Sequence, residues 1–183
     1  MTEDNALIII YQNDISKRYI EVKDMKRAVI YFSLSGNTKE AAEYIAASLN
    51  ADIYVIEMLK KLPDSTAGQM MKGGMQSTFG MRPEITGVPK DITSYDEIIL
   101  GCPIWAGKAA SPVNTLLADK RVADKITYVF TFSGGGDNDK CIKALSKQLS
   151  NLKGNAALAD RKNELSRENK KRLEDFTERI KNG

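Results

Sequence analysis

Histidine is absent from this 183-residue chain. Its absence excludes a Ser-His-Asp triad, a Cys-His dyad, histidine acid–base catalysis and any zinc site built on imidazole. Cysteine is scarce: Cys102 and Cys141 show no Cys-x-x-Cys spacing, so no disulfide framework exists and both are expected as small, reduced apolar residues. Long hydrophobic runs are missing as well. Stretches such as 7–10 and 98–100 fall far short of the roughly 20 residues needed to cross a bilayer, and no membrane partner is expected. Nor is there the basic excess of a nucleic-acid binder, since 27 basic and 24 acidic residues leave a net charge of +3. The start of the chain carries Glu3 and Asp4 with only a brief apolar stretch, a poor fit to a secretory signal, so a cytoplasmic location is the expectation. Chemistry in such a chain falls to other side chains or to a cofactor.

What the sequence does have is an abrupt junction between a strand and a helix. Residues 28–32 are apolar; the chain then breaks into Ser33, Leu34, Ser35, Gly36, Asn37 and Thr38, after which Ala41, Ala42, Ile45, Ala46 and Leu49 recur at helical spacing. The first turn of a helix has N–H groups without helical partners and carries the positive end of the dipole, so a phosphate placed there meets several donors. Ser33, Ser35 and Thr38 add hydroxyls, and Gly36 permits close backbone approach or a positive φ. The pattern Gly-x-x-x-x-Gly-Lys-Ser/Thr is absent and no Gly-x-Gly-x-x-Gly opens the helix, which disfavours nucleoside triphosphates and dinucleotides. Taken alone, the loop is explained equally well by a helix cap at Ser35 or Asn37 with a turn at Gly36.

Further strands are expected at 53–56, 95–102 and 126–132, with helices at 112–119, 138–149 and 166–180. Strands alternating with helices predict a parallel sheet covered on both faces, a three-layer α/β/α sandwich in one domain over 25–183. The fifth strand is placed at 156–159, although Ala-Ala-Leu-Ala is poor strand material. Residues 1–24 form an N-terminal extension, read either as a hairpin of 7–11 with 18–22 or as a disordered tail. The stretch 59–93 is long for a connection; a helix is expected within 65–71, followed by irregular chain from Lys72 to Pro83.

In an open parallel sheet, ligands bind at the carboxyl ends of the strands, near the reversal of strand order. Three unusual loops fall at that edge: 33–38, 103–108 and 133–137. The order Ser-x-Ser-Gly-Asn-Thr after a strand, the run over 95–107 and the following Ser-Pro-Val-Asn-Thr-Leu-Leu from Ser111 together resemble the flavodoxin family, over residues 25 onward. The resemblance implies a flavodoxin-like α/β fold with a five-stranded parallel sheet in the order 2-1-3-4-5, and FMN as cofactor. By it, Ser33, Ser35, Gly36, Asn37 and Thr38 would hold the phosphate, and Pro103, Ile104, Trp105, Ala106 and Gly107 would flank the flavin. Ser133, Gly134, Gly135 and Asp137 would offer backbone amides along its edge. Trp105, the only tryptophan, either contacts the flavin or fills the core or a subunit contact. Many family members carry an aromatic ring in the third loop. This chain has none there, which leaves the second flavin face open or covered by a tyrosine or by Phe79. Lys108 either lies near the flavin and favours its reduction or points to solvent. The function implied is FMN-dependent electron transfer to a redox partner protein or a small-molecule acceptor. A flavin-dependent NAD(P)H:quinone-type oxidoreductase and a flavin-free interaction module are the alternatives. No catalytic residue and no metal ligand is assigned.

Overall fold

A computed structural model describes residues 25–160 and 167–183. The expected hairpin within 1–24 and the first residue of the expected last helix lie outside the described residues. In chain order the elements are β1 (Arg27–Tyr31), α1 (Asn37–Leu49), β2 (Asp52–Val55), β3 (Glu57–Met58), α2 (Thr66–Thr78), β4 (Ile85–Thr86), β5 (Glu97–Trp105), β6 (Lys108–Ala109), α3 (Ser111–Leu116), α4 (Lys120–Ala123), β7 (Ile126–Ser133), α5 (Asp139–Leu145), β8 (Gly154–Ala159) and α6 (Arg167–Asn182).

Five strands form one parallel sheet in the order β2-β1-β5-β7-β8, which is 2-1-3-4-5 when only these strands are counted. Its strands are apolar almost throughout because both faces are covered. On one face Ala28, Ile30, Leu100 and Val129 pack with Val113, Leu116 and Leu145 from α3 and α5. On the other, Val29, Ile99, Phe130 and Leu158 pack with Ile45 of α1 and Phe176 of α6. β8 forms despite its alanines because it lies beside the bulkiest strand: Phe130 pairs with Ala156 and Phe132 with Leu158, so small residues fit where large ones already fill the layer. At the amino edge, buried Glu97 accepts from Thr127 Oγ1 at 2.9 Å and pairs with Arg27 Nε at 2.9 Å and Lys153 Nζ at 3.5 Å, keeping a buried charge compensated.

Two expectations are corrected. The helix expected within 65–71 runs on to Thr78, so the first half of the stretch taken as irregular is helical. Ser65 caps it, its Oγ accepting from the Gly68 N–H at 3.2 Å, and Gly73 is held in place by packing on Trp105, which outweighs the poor helix propensity of glycine. Second, β5 does not end at Cys102 but continues to Trp105, because β6 turns back and pairs antiparallel with it, Ile104 with Ala109 and Trp105 with Lys108.

Burial pushes the Cys102 thiol well above its ordinary value, the nearby Cys141 adding to the effect, and burial alone lifts Cys141 to about 11. Both thiols are therefore protonated at neutral pH. Native protein is expected to leave Ellman's reagent unreacted at pH 8, whereas denatured protein should titrate both cysteines. Since the folded thiols hold their protons more tightly than unfolded ones, this stabilisation is complete below about pH 9 and lost as pH rises toward 11. A thermal midpoint that stays level from pH 9 to pH 11 would contradict that assignment.

Candidate functional site

The sheet registers bring the ends of β1, β5 and β7 to one edge: Tyr31 lies beside Gly101, Cys102 beside Thr131 and Pro103 beside Phe132. From that edge the chain leaves β1 through Phe32, whose N–H donates to Gly101 O at 3.0 Å, and enters the loop ahead of α1. Gly36 is at φ +98°, the left-handed region, and its N–H donates to Ser33 Oγ at 3.1 Å. No side chain caps the 13-residue α1, and the first helical bond runs from Glu40 N–H to Gly36 O at 3.1 Å. The amides of Asn37, Thr38 and Lys39 thus stand ahead of the helical ladder at the positive end of the dipole. Thr38 is buried, Ser33 half-buried and Ser35 exposed. Asn37 points sideways, its Nδ2 donating to Asp160 Oδ1 at 2.7 Å and tying α1 to the end of β8. Neutral amides and hydroxyls at the head of a long helix are the donor set that suits a phosphate.

The second loop is a tight hairpin. Ala106 at φ +51° and Gly107 at φ +76° are the two residues joining β5 to β6, the paired positive φ values of a two-residue turn that matches strand twist. Trp105 stands half-buried beside the first loop: its ring meets Phe32 edge-on with centroids 5.5 Å apart, and a Cβ at Gly73 would stand 3.0 Å from the indole. The tryptophan is therefore braced from two sides, by β1's exit and by α2. Lys108 Nζ donates to Thr78 O at 2.9 Å, which fastens the hairpin to the end of α2. Over Gly107 lies the side chain of Lys140 from α5; a Cβ on that glycine would come within 3.0 Å of Lys140 Cδ.

The third loop follows β7. Ser133 Oγ donates to Asp137 O at 2.9 Å and Gly136, at φ +71°, donates its N–H to Ser133 O at 3.2 Å, closing the turn. Asp137 Oδ1 accepts from the Asp139 N–H at 3.1 Å and so helps to start α5. Cβ atoms at Gly134 and Gly135 would meet nothing within 4 Å, so this part of the loop faces open space. Phe79 lies at the end of α2, 75% exposed. On the opposite flank of the first loop, toward β2, opens a cleft of about 430 Å³ lined by Phe32, Ser33, Leu34, Ile56, Leu62 and Gln69 among others.

Asp160 and Lys140 join the site without having been singled out in the sequence, whereas Gly73 belongs to the Lys72-Gly-Gly-Met stretch, which resembles a glycine-containing segment common in the flavodoxin group. No local pattern marks the first two: Asp160 meets Asn37 across 123 positions of chain, and Lys140 matters only through the neighbour that packing gives it. Among the described residues no cluster of carboxylates or thiols is arranged to hold a metal ion.

An open parallel sheet whose strand order reverses between β1 and β5, with the start of α1 at that point, defines a doubly wound α/β protein. The sequence profile of the family described as flavodoxin matches residues 26–179, and the chain belongs to that family. Solved structures agree. A candidate flavoprotein from Bacteroides eggerthii is similar at 25% identity and a TM-score of 0.69, covering 85% of this chain and 97% of its own. A flavoprotein from Lactobacillus acidophilus in complex with FMN matches at 24% identity and TM-score 0.61, over 72% of this chain and 92% of its own. A WrbA-like flavodoxin protein from Agrobacterium tumefaciens matches at 18% identity and TM-score 0.57, over 86% and 96%. The latter two likenesses establish the fold.

Proposed function

We propose that this chain binds FMN and transfers electrons through it. The observation that carries this reading is the start of α1, which no side chain caps and which leaves three first-turn amides without helical partners after a glycine in the left-handed region, in a loop that also contains Ser33, Ser35 and Thr38. Family membership and the FMN complex of the Lactobacillus acidophilus protein support the same cofactor. In this reading Ser33, Ser35, Gly36, Asn37 and Thr38 hold the phosphate, Pro103, Ile104, Trp105, Ala106 and Gly107 flank the flavin, and Ser133, Gly134, Gly135 and Asp137 border its edge. Bound FMN supplies reversible one- and two-electron chemistry; the chain binds it, orients it and sets its surroundings. Trp105, braced by Phe32 and Gly73, is the rigid wall of the pocket. The electrons go on to a partner protein or a small-molecule acceptor.

A second reading, a flavin-dependent NAD(P)H:quinone-type oxidoreductase, is favoured by the absence of any ring in the loop Ser133–Asp137 and the open space at Gly134 and Gly135, which would leave one flavin face to a second substrate. Reduction of the FMN-loaded protein separates the two. A carrier is expected to show two well-separated one-electron potentials and no bleaching by NADPH or NADH alone. Bleaching within seconds by either nucleotide selects the reductase. Protein that takes up no FMN contradicts both and leaves a flavin-free interaction module.

A further inference from the structure

α2 is built inside out. The face it turns to the body of the protein carries Gly73, Gln76 and Ser77, all buried, with Gln76 Oε1 accepting from Ser111 Oγ at 2.9 Å. Its large apolar side chains point away: Met70 and Met71 are each 74% exposed, Met75 52%, Phe79 at its end 75% and Met81 just beyond 49%. Met71, Met75 and Phe79 follow at i, i+4 and i+8 and so form one line along the helix. Lys72 is the only charged residue among its 13, unlike a helix made to face water.

We infer that this stripe is the two-fold interface of a homodimer, in which α2 of each copy packs antiparallel on α2 of the other. Met71, Met75 and Phe79, with Met81 just beyond, present on the order of 500 Å² of apolar surface at these exposures, within the upper range of what monomers expose and more than half of the roughly 800 Å² per partner in a stable interface; Met70 projects away from this line. The spacing is self-complementary, because Met75 lies midway between Met71 and Phe79. An antiparallel two-fold axis through Met75 sets each Met71 against the partner's Phe79 and Met75 against its own copy. Charge selects the same arrangement: Lys72 then lies opposite the partner's Thr78, whereas parallel packing would stack Lys72 on Lys72, and the two helix dipoles run in opposite directions.

The pairing also answers a deficit in the monomer. α2 holds Gly68, Gly73 and Gly74, each about 1 kcal/mol less helix-favouring than alanine, and its inner face offers no large apolar side chain to offset that loss. A second copy supplies the missing burial. Because Gly73 rests on Trp105 and Lys108 holds the end of the helix, the dimer would steady the helix that covers the second loop. The inference does not depend on the cofactor.

Sedimentation of the full chain between 1 and 100 µM tests it. The native protein is expected at twice the 20.3 kDa monomer mass. Met75→Asp, which faces two carboxylates across the axis, is expected to raise the dimer dissociation constant at least 100-fold with an unchanged far-UV spectrum, and Met71→Asp to act in the same direction. Ile53→Asp, on the outer edge strand, should leave the dimer intact. Met75→Cys should cross-link to a covalent dimer under mild oxidation, with no background from the two buried native thiols. A native monomer at 100 µM overturns the inference, as does a dimer that survives both aspartates. Flotation of the native monomer with phosphatidylglycerol vesicles, abolished by Met75→Asp, would assign the stripe to a membrane surface instead.

Discussion

Gly36→Asp is expected to lower the affinity for FMN at least 100-fold, about 2.7 kcal/mol, while the apoprotein keeps its fold. Two effects act together. The residue must hold φ +98°, which costs a side-chain-bearing residue of order 1 kcal/mol, and its carboxylate would occupy the helix start with the same sign of charge as the phosphate it displaces. No steric clash confuses the result, since a Cβ at this position meets nothing within 4 Å, and aspartate is itself a good helix cap. Gly36→Ala carries the backbone cost without the charge and should weaken binding roughly 5-fold, in line with about 1 kcal/mol. Flavin fluorescence titration reads both. Unchanged FMN affinity in Gly36→Asp would place the phosphate elsewhere.

The largest loss of stability is expected from Gly101→Ala. Gly101 sits in β5 between β1 and β7, and a Cβ there would stand 2.1 Å from Phe130 Cζ and under 3 Å from both neighbouring ring carbons. Phe130 cannot yield easily, being fully buried with Phe176 packed against it at 6.5 Å between centroids. Overpacking in cores costs about 1–3 kcal/mol, and a clash this close, onto a ring with no exposed side, belongs at the upper end. At that value the thermal midpoint should fall by roughly 6–12 °C. Phe130→Leu in the same chain should recover part of the loss, a coupling that thermal melts of the single and double variants would reveal. A Gly101→Ala midpoint within 2 °C of the native one would show that the two strands have slack.

The covered parallel sheet was legible from sequence because it rests on local signals: the β-branched and aromatic run of β7, the helical spacing of Ala41, Ala42, Ile45 and Leu49, and alternation of strand with helix; the strand order came only through the family resemblance of the loop motifs. What was not legible rests on partners far along the chain. β5 extends to Trp105 only because β6 returns to pair with it, and α2 continues through two adjacent glycines because Trp105 receives one of them. The orientation of α2 ran against amphipathic reasoning, which would place its methionines inward. At the candidate site, the first loop carried its geometry in its own residues, Ser33 and Gly36 above all. The anchoring of Lys108 to Thr78 O and of Asn37 to Asp160 had no trace in any local motif.

The most direct measurement compares FMN with riboflavin, which lacks only the phosphate, in equilibrium titrations of the flavin-free protein. The expected result is FMN binding with a dissociation constant of about 1 µM or tighter and riboflavin at least 100-fold weaker, a gap of about 2.7 kcal/mol that closes in Gly36→Asp. Equal affinity for the two, or no uptake of FMN at saturating concentration, would contradict the placing of a phosphate at the start of α1.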